Sequence, residues 1–580
     1  MTGPDVVPTQ TWSTTAEVAA AIKAMSAGQS VRVRGSGHSF PDQIRLPNTG
    51  GVLAELDPTQ EIGPVDTDGS ITVWAGNHLG PDPRDPRLDP FNDKLYLLPW
   101  LHQQGLALPD TGGITHQTVG GFLSTGSSGG TRTRPLEPSI TSIEFVDGTG
   151  TPHTFARSDD ITNPFFALGV SLGLLGVITH VTFKTEANFS VIGQEAVTTT
   201  ADCAIDLFGP GVGAKSSLKT FFKETDYARI TWWPQQGVDR VAVWQSNSLV
   251  PGDVAKQIPY QELGYSFNSA LMWQYIDDDW PVIAGLISGL IDNSALVSAQ
   301  WTVTKPWLEG KVKDDLIRQI DQIVAEENHA DLALLLKDLV NNQLSQQFIV
   351  CAYFSMLGHR TDPGSLAEAI FTSMFGSEDQ FTQKWSPQFM NDLFITLDSQ
   401  KPPPNAGQPQ YFQDYAYLAL PMDNQISDDL IATEFTELWV PLTDAQQVMS
   451  DLQAFYAQPG QGYAHTGTYA CEIYTAAESE FWLSPSFGGP VLRIDVYYFR
   501  YASTPPDATF YPQFWNLLAK YDFRPHWGKY LPAATGPQGA AYLHQQYGAH
   551  LDKFLAMRET ADPKNLFLTD YWKQHLGITD

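Results

Sequence analysis

Two glycine-rich loops near the start of the chain constrain the fold more than any other feature of this sequence. The first, RGSGHSF at 34–40, follows a short β-rich run, and the second, at 109–130, holds seven Gly and seven Ser or Thr. Such loops offer backbone N–H groups and small hydroxyls at close range, which suits a phosphate. Asp110 is the only carboxylate in the two loops. They could therefore surround a pyrophosphate from two sides; the alternative is two unrelated tight turns.

The first loop is not a standard nucleotide-binding fingerprint. Gly35 and Gly37 fit the first two glycines of G-x-G-x-x-G, but Phe40 occupies the third position, and the chain has no Walker motif. His38 lies inside this loop. An imidazole beside a phosphate loop can be a nucleophile towards the cofactor, whereas a lone His is otherwise a hydrogen-bonded structural residue.

Composition excludes several classes of partner. The 580 residues carry 64 acidic and 34 basic side chains, a net charge of −30. This balance argues against nucleic-acid binding and against docking on anionic membranes. No apolar run reaches the ~18 residues of a membrane span, and no signal region is seen at the N-terminus, so we expect a soluble, cytoplasmic protein. Three scattered cysteines and no H-E-x-x-H motif predict neither a disulfide framework nor a metal site, and the oligomeric state stays open.

Hydrophobic periodicity and aromatic content divide the chain into regions with different predicted secondary structure. Residues 1–190 alternate short helices and strands, beginning with a helix at 14–27 that Thr14 or Thr15 would cap. Residues 191–510 are richer in aromatic residues, with strands predicted at 228–233, 241–246, 469–475 and 491–501. Helices are predicted at 311–327 and 331–344, a linker at 398–408, and apolar-rich packing alone at 251–300. The tail is 511–580.

Four segments together resemble a known family. They are VRVRGSGHSF at 31–40, GGITHQTVGGFLSTGSSG at 112–129, SLGLLGVITHVTF at 171–183 and RPHWGK at 524–529. The sequence resembles the FAD-linked oxidases of the vanillyl-alcohol-oxidase type, and within them most closely the aldonolactone and alditol oxidase branch. The four segments stand in the family's order and span most of the chain.

The resemblance implies an α+β, two-domain FAD-binding PCMH-type fold. Residues 1–190 would form the FAD-binding domain, to which the C-terminal segment 511–580 returns. Residues 191–510 would form a large antiparallel-sheet substrate or cap domain that covers the flavin. It also implies FAD bound covalently through His38; no cysteine lies in the second loop to make a second bond.

Matching the motifs loop by loop gives the cofactor-binding residues. Gly112 resembles the position that governs oxygen access, where a missing Cβ favours an oxidase, and Ser128 stands where the family often has His. Val177 and Ile178 would contact the adenine through their backbone. The implied contacts in the two loops are Arg34, Gly35, Ser36, Gly37, His38, Ser39, Gly112, Gly113, Thr118, Gly121, Ser124, Thr125, Gly126, Ser127 and Ser128.

On the substrate side, Glu472 matches the Glu of a Glu-x-Arg pair that faces the flavin in the alditol branch. Here Tyr474 replaces the Arg, and on a strand the two side chains share a face. Tyr497, with Gly113, matches a further substrate contact. Glu472 would be the base or orienter, unless it is a solvated strand carboxylate.

The tail motif would bring two more groups to the flavin. Lys529 would stabilise developing negative charge, unless it is a solvated surface lysine. His526 would orient Lys529 or contact the flavin, or else be a structural His beside Trp527. His116, in the second loop, is interpreted as structural.

The implied reaction is hydride transfer from the carbinol carbon of a small-molecule alcohol to flavin N5, with O₂ reduced to H₂O₂. A phenol in place of a guanidinium offers fewer donors and a larger apolar face, so we expect a substrate bulkier or less polar than a simple polyol. The alternatives are a sugar or aldonolactone oxidase, a dehydrogenase of the same family, and a non-catalytic ligand-binding protein.

Overall fold

A computed structural model describes most of the chain outside one long central stretch. The described residues are 9–47, 50–82, 85, 87–234, 237–249, 257–260, 318, 321, 322, 325, 372, 409–424, 433–458, 468–499 and 505–579. The helices predicted at 311–327 and 331–344, the linker at 398–408 and the segment 251–300 lie almost wholly outside these residues.

The helices and strands alternate in the first part of the chain and become longer after it. The strands are β1 Thr9–Trp12, β2 Ser30–Val33, β3 Gly51–Leu56, β4 Ser70–Trp74, β5 Leu106–Ala107, β6 Ile140–Val146, β7 Pro152–Ala156, β8 Val177–Lys184, β9 Glu186–Ala187, β10 Ser190–Thr198, β11 Ile205–Asp206, β12 Ser216–Ser217, β13 Tyr227–Trp233, β14 Arg240–Leu249, β15 Gln410–Tyr415, β16 Thr433–Pro441, β17 Ala470–Ala476, β18 Val491–Phe499 and β19 Arg524–Pro525. The α-helices are α1 Thr15–Ala24, α2 Leu97–Gln103, α3 Val119–Ser124, α4 Phe165–Leu168, α5 Leu218–Glu224, α6 Ala416–Ala419, α7 Ala445–Ala457, α8 Pro506–Thr509, α9 Tyr511–Leu518, α10 Ala540–Tyr547, α11 Ala549–Ala561 and α12 Asp570–His575.

The first helix forms where the sequence predicts it. Thr14 caps α1 by accepting a hydrogen bond from the backbone N–H of Glu17, and Val18 and Ile22 are buried one turn apart. After α1 the chain enters a three-stranded parallel sheet of order β1-β3-β2. β2 ends at Val33, so the sheet holds the start of the first glycine loop in place.

The second loop is anchored by a four-stranded antiparallel sheet of order β4-β8-β6-β7. The loop was expected to be irregular, but α3 forms inside it because Thr118 caps the helix by accepting from Gly121 N. One hydrophobic core joins both small sheets to the C-terminal helices; it includes Val31, Val181, Phe554 and Trp572.

An antiparallel sheet of eight strands, in the order β15-β10-β14-β13-β17-β18-β16-β19, forms the second layer. The strand β19, from the tail motif, pairs with β16 at one edge. The tail therefore belongs both to this sheet and to the first core. The domain boundaries at 190 and 510 stay predictions.

Strict alternation in β18 explains why the sheet has one apolar face and one polar face. Leu492, Ile494 and Val496 are fully buried in the core made with α5, α7 and α9. The intervening Arg493 and Asp495 point to the opposite face, because successive strand residues alternate. That polar face carries the candidate site. Among the described residues, no helix is long and apolar enough to cross a membrane.

Candidate active site

The first loop lies against the tail motif. Phe40 N donates to Gly528 O at 2.9 Å, and the ring of Phe40 lies 4.1 Å from that of Tyr530. A Cβ added to Gly528 would lie 3.4 Å from Ser39 Oγ. The structure thus brings together the first and last of the four sequence segments, which are almost 500 residues apart.

The two glycine loops also touch each other. A Cβ at Gly35 would come within 2.5 Å of Thr118 Oγ1, so only glycine permits this approach. Ser36 Oγ donates to His116 O at 2.6 Å, and the rings of His38 and His116 are 5.9 Å apart. The contact between the loops rules out two unrelated turns, and the backbone of His116 takes part in it; the structural role of its side chain stays a prediction.

The remaining residues of the first loop are at least partly accessible. Gly37 is exposed and has φ +77°, a left-handed conformation that favours glycine. Arg34 is also exposed and donates from Nε to Glu55 at 2.9 Å. Its charge is therefore compensated by a neighbouring strand.

The hydroxyl residues at 124–128 of the second loop are half-buried and partly used within the loop. Ser124 Oγ donates to Gly120 O at 2.7 Å, and Thr125 Oγ1 donates to Gly121 O at 3.3 Å. Asp110 is fully buried, accepts from Gly129 N at 3.0 Å, and burial raises its pKa to about 7. Asp110 thus holds the end of the loop.

A cleft of about 70 Å³ opens beside this loop. Gly126, Ser127 and Ser128 line it together with the apolar Val170, and Asp110, Glu137 and Glu478 line it as well. The lining thus combines small polar groups, apolar groups and carboxyl groups.

Val177 and Ile178 are not among the residues that line this cleft. They begin β8 and pair there with Val146 and Phe145 of β6. On its other side β8 pairs with β4 only as far as His180, so the backbone of Val177 and Ile178 lies beyond the end of β4. Their contact with an adenine stays a prediction.

Glu472 lies at the centre of the polar face of the large sheet. It is 4% exposed, and its Oε2 accepts hydrogen bonds from the hydroxyls of Tyr474 and Tyr497. Its Oε1 accepts from Arg229 Nη1 at 3.2 Å. It is therefore not a solvated strand carboxylate. The structure brings together the three cap residues that the resemblance implied.

Burial dominates the electrostatics of Glu472. Burial, and then the neighbouring Asp423, raise its pKa to about 7, against the opposing effects of Arg229 and the two tyrosines. A carboxyl group with a pKa near neutrality can both accept and release a proton at physiological pH, which is what a general base requires.

Three carboxylates form one row across neighbouring strands. Glu472 on β17 is directly opposite Asp495 on β18, and Asp495 is directly opposite Glu437 on β16. Glu437 accepts from Trp439 Nε1 at 2.6 Å and from Arg493 Nε at 2.8 Å. Although burial opposes it, the nearby cations, Arg493 first, lower the pKa of Glu437.

Arg493 connects this row to the second glycine loop. Its Nη1 donates to Ser128 O at 2.9 Å and to Gly129 O at 3.2 Å. Its guanidinium carbon lies 4.7 Å from the ring centres of both Trp439 and Tyr474. A buried cation thus ties the loop to the sheet, and one face of Tyr474 is already in use.

A second connection runs from Gly113 to the segment that follows α6. Asp423 N donates to Gly113 O at 2.9 Å, and the Asp423 carboxylate forms an ion pair with Arg229. Asn424 exchanges hydrogen bonds with Thr115 at 2.8 Å. A Cβ at Gly113 would lie 3.0 Å from Asp423 Oδ2, and one at Gly112 would lie 3.1 Å from Ile114 O. Little room remains there for a side chain.

The tail motif lies at the edge of the carboxylate row. Lys529 Nζ is 3.9 Å from the ring centre of Phe435, whose ring lies 5.0 Å from that of Tyr497. His526 is buried, accepts from Gly528 N through Nδ1 at 3.0 Å, and burial lowers its pKa to about 4. His526 therefore shapes its own motif as a neutral ring, and Lys529 is the cation beside the site.

Sequence reasoning missed four charged residues of this face: Arg229, Glu437, Arg493 and Asp495. Asp423 was missed as well. A signal was present, because each of the four interrupts an apolar strand on the face opposite the core, as in VLRIDVYYF of β18. The sequence does not, however, show which strands are neighbours, and the row exists only through their register.

Comparison with known proteins shows similarities in sequence and in fold. Residues 424–575 match the family described as D-arabinono-1,4-lactone oxidase. A putative D-arabinono-1,4-lactone oxidase of Neurospora crassa is 30% identical over 44% of this chain and 40% of its own length. An alditol oxidase of a Streptomyces species is 29% identical over 35% of this chain and 45% of its own length. The matched segments thus span less than half of either relative.

In three dimensions the chain is similar to a crystal structure of cholesterol oxidase from B. sterolicum. The TM-score is 0.58 over 98% of this chain and 93% of that one, at 14% identity, which shows a shared fold. The predicted fold class and the resemblance to the FAD-linked oxidases are confirmed. Within that class, the sequence relatives are aldonolactone and alditol enzymes rather than enzymes named for bulky alcohols.

Proposed function

We propose that this chain is an FAD-dependent oxidase that oxidises a CH–OH group of a sugar-derived lactone or polyol and reduces O₂ to H₂O₂. The single observation that carries the proposal is the Glu472 site. A buried carboxyl group with a pKa near 7 lies on the sheet face that Arg493 ties to the second glycine loop.

The residues present fit FAD. Gly35 and Thr118 bring the two loops into contact that a Cβ would prevent. The loop at Gly126–Ser128 offers backbone and hydroxyl groups, and Arg493, which donates to Ser128 O, places a cation beside them. The residues that would hold the cofactor are those of the two loops, with His38 as the point of covalent attachment. When bound, FAD supplies the hydride acceptor and the means of passing two electrons to O₂.

The chain's own part in the reaction is to move one proton and to orient one hydroxyl. The ionised Glu472 accepts the proton of the substrate hydroxyl. Tyr474 and Tyr497 fix the position of its Oε2, and Arg229 fixes Oε1. Lys529, over Phe435, supplies the positive charge that opposes negative charge developing on the reacting groups.

A small polar substrate fits better than the bulkier alcohol that the Tyr474 replacement suggested. The Tyr474 hydroxyl donates to Glu472 and its ring packs on Arg493. One face of the ring is thus covered by a guanidinium, which supports a polar rather than an apolar surrounding. The similarity to lactone and alditol oxidases favours the same alternative.

The test is a screen of the purified holoprotein for peroxide formation. D-arabinono-1,4-lactone, L-gulono-1,4-lactone and xylitol are compared with cholesterol as a bulky alcohol. We expect turnover of at least one polar compound, and loss of anaerobic flavin reduction in Glu472→Gln. Tyr498→Phe, on β18 but on the opposite face, is the control that keeps the activity. Faster turnover of cholesterol would restore the bulky-alcohol hypothesis.

Two other functions are separated by the same experiment. A dehydrogenase would reduce an artificial acceptor without forming peroxide in air. A flavin-free binding protein would be colourless and would reduce no acceptor. Flavin colour that stays with the acid-precipitated protein supports both FAD and the His38 bond.

A further inference from the structure

Asp495 is the buried carboxyl group that neither the motifs nor the proposed base explains. It lies in the middle of β18 and is 3% exposed. Its Oδ1 atom is buried and has no hydrogen-bond partner among the residues that the structure describes, a rare condition for a polar atom inside a protein. Because burial of an unpaired charge is costly, this atom requires a physical account.

Charged and titratable groups face Asp495 from three elements. Glu472 stands directly opposite on β17, and Glu437 stands directly opposite on β16. Directly paired residues have Cβ atoms about 4.5–5.5 Å apart, so three carboxyl groups lie within reach of one another. Lys529 approaches from the tail.

On its own strand, Asp495 is flanked by Arg493 and Tyr497. The hydrogen bonds of Arg493 go to Glu437, Ser128 and Gly129, and that of Tyr497 goes to Glu472. None of these hydrogen bonds reaches Asp495.

In this position the neutral form of Asp495 has a lower free energy than the ionised form. Burial and the two neighbouring carboxyl groups oppose its ionisation, and they outweigh the attraction of Arg493 and Lys529. Burial, and then Glu437, raise the pKa of Asp495 well above its ordinary value. A carboxylic acid kept neutral at pH 7 gains something that a carboxylate lacks, a hydroxyl that donates a hydrogen bond.

We propose that Asp495 is a neutral carboxylic acid at physiological pH and that it donates a hydrogen bond to an uncharged hydroxyl or carbonyl oxygen of the molecule bound beside Glu472. The site would then hold one base and one acid: Glu472 accepts a proton while Asp495 donates a hydrogen bond. The nature of the bound molecule rests on the proposed function, whereas the proton on Asp495 does not.

The proton is tested without any substrate, by urea unfolding of the holoprotein between pH 4 and pH 8. A carboxyl with a raised native pKa binds more protons folded than unfolded, so its contribution to stability falls as the pH rises from about 4 to the native pKa. The unfolding constant of the wild type, relative to Asp495→Asn, should increase about tenfold per pH unit over this range.

Tyr498→Phe is the matched control, on the same strand and the opposite face. Its hydroxyl bonds Thr468 Oγ1 at 2.6 Å, so the variant loses stability by an amount that does not follow the same pH dependence. Parallel curves for the wild type and Asp495→Asn would overturn the proposal. In infrared spectra, a protonated carboxyl band at pH 8 should be missing from Asp495→Asn and present in Tyr498→Phe.

The hydrogen bond is tested by comparing Asp495→Asn with Asp495→Leu, since the amide still donates and the leucine does not. With D-arabinono-1,4-lactone and xylitol as probes, Asp495→Leu should have a kcat/KM about tenfold below that of Asp495→Asn. Equal values would overturn the donor role. If the wild type oxidises neither these two probes nor L-gulono-1,4-lactone, the proposed function and the donor role both fail, and the unfolding data still decide whether Asp495 carries a proton.

Discussion

Removing the Tyr497 hydroxyl should move the pH profile of the reaction towards alkaline pH. In the structure this hydroxyl donates to Glu472 Oε2 and thereby lowers the pKa of Glu472, which lies at about 7. A hydrogen bond to a charged group contributes about 1.5–3 kcal/mol, and one pKa unit corresponds to ~1.4 kcal/mol. Because Tyr497 is half-buried, we use the lower end of this energy range. We therefore expect Tyr497→Phe to raise the pKa of Glu472 by about one unit.

The expected effect on the rate follows from the ionised fraction. The base works only when ionised, so activity rises with pH through the pKa of Glu472. At pH 7 the ionised fraction would fall from about one half to about one eleventh, a decrease of about fivefold. The loss should disappear as the pH rises well above the new pKa.

The assay measures anaerobic reduction of the bound flavin by stopped-flow absorbance, at pH values from about 5.5 to about 10. Tyr498→Phe should leave the profile in place, because its hydroxyl lies on the other face of β18. Glu472→Gln should have no titrating limb at all. An unshifted or acid-shifted profile in Tyr497→Phe would refute the assignment of Glu472 as the base.

Three further predictions concern attachment and stability. In His38→Ala, flavin should pass into the supernatant on acid precipitation, whereas in the wild type the colour should stay with the protein; the absorbance of both fractions decides it. Arg493→Met leaves Glu437 buried without its hydrogen-bonded cation and should cost about 3–5 kcal/mol, visible as a lower Tm and urea midpoint; an unchanged midpoint would contradict the bridge. Leu452→Ala, fully buried in α7, should cost about 2–5 kcal/mol in urea unfolding without moving the pH profile of flavin reduction.

Local rules in the sequence predicted the elements that depend on local physics. The cap at Thr14 and the strand predicted at 491–501, which is β18, both follow from spacing and residue type. The helix α3 was missed because a run rich in glycine opposes helix formation, and only the Thr118 cap and packing on the first core compensate. β16 was also missed, although it carries Glu437.

The residues of the site also form two groups: those that motifs locate and those that depend on strand pairing. Resemblance to a family located Glu472, Tyr474 and Tyr497, because each stands at a fixed distance from a recognisable motif. No motif marks Arg229 or Asp495, whose importance depends on strand pairing. Arg229 lies 243 residues from Glu472 in sequence and donates to it in the structure.

The departure at Tyr474 acquires a different meaning once its neighbours are known. A Tyr in place of an Arg removes a cation from the strand, yet the sheet does not lose that cation, because Arg493 on the next strand packs against the Tyr474 ring. Its guanidinium binds Glu437 and the second loop, while the phenol supplies the donor to Glu472. The two tasks of one guanidinium, carrying charge and donating to the base, are thus divided between two side chains. Substitution at one strand position should therefore be judged together with the residue opposite it on the neighbouring strand.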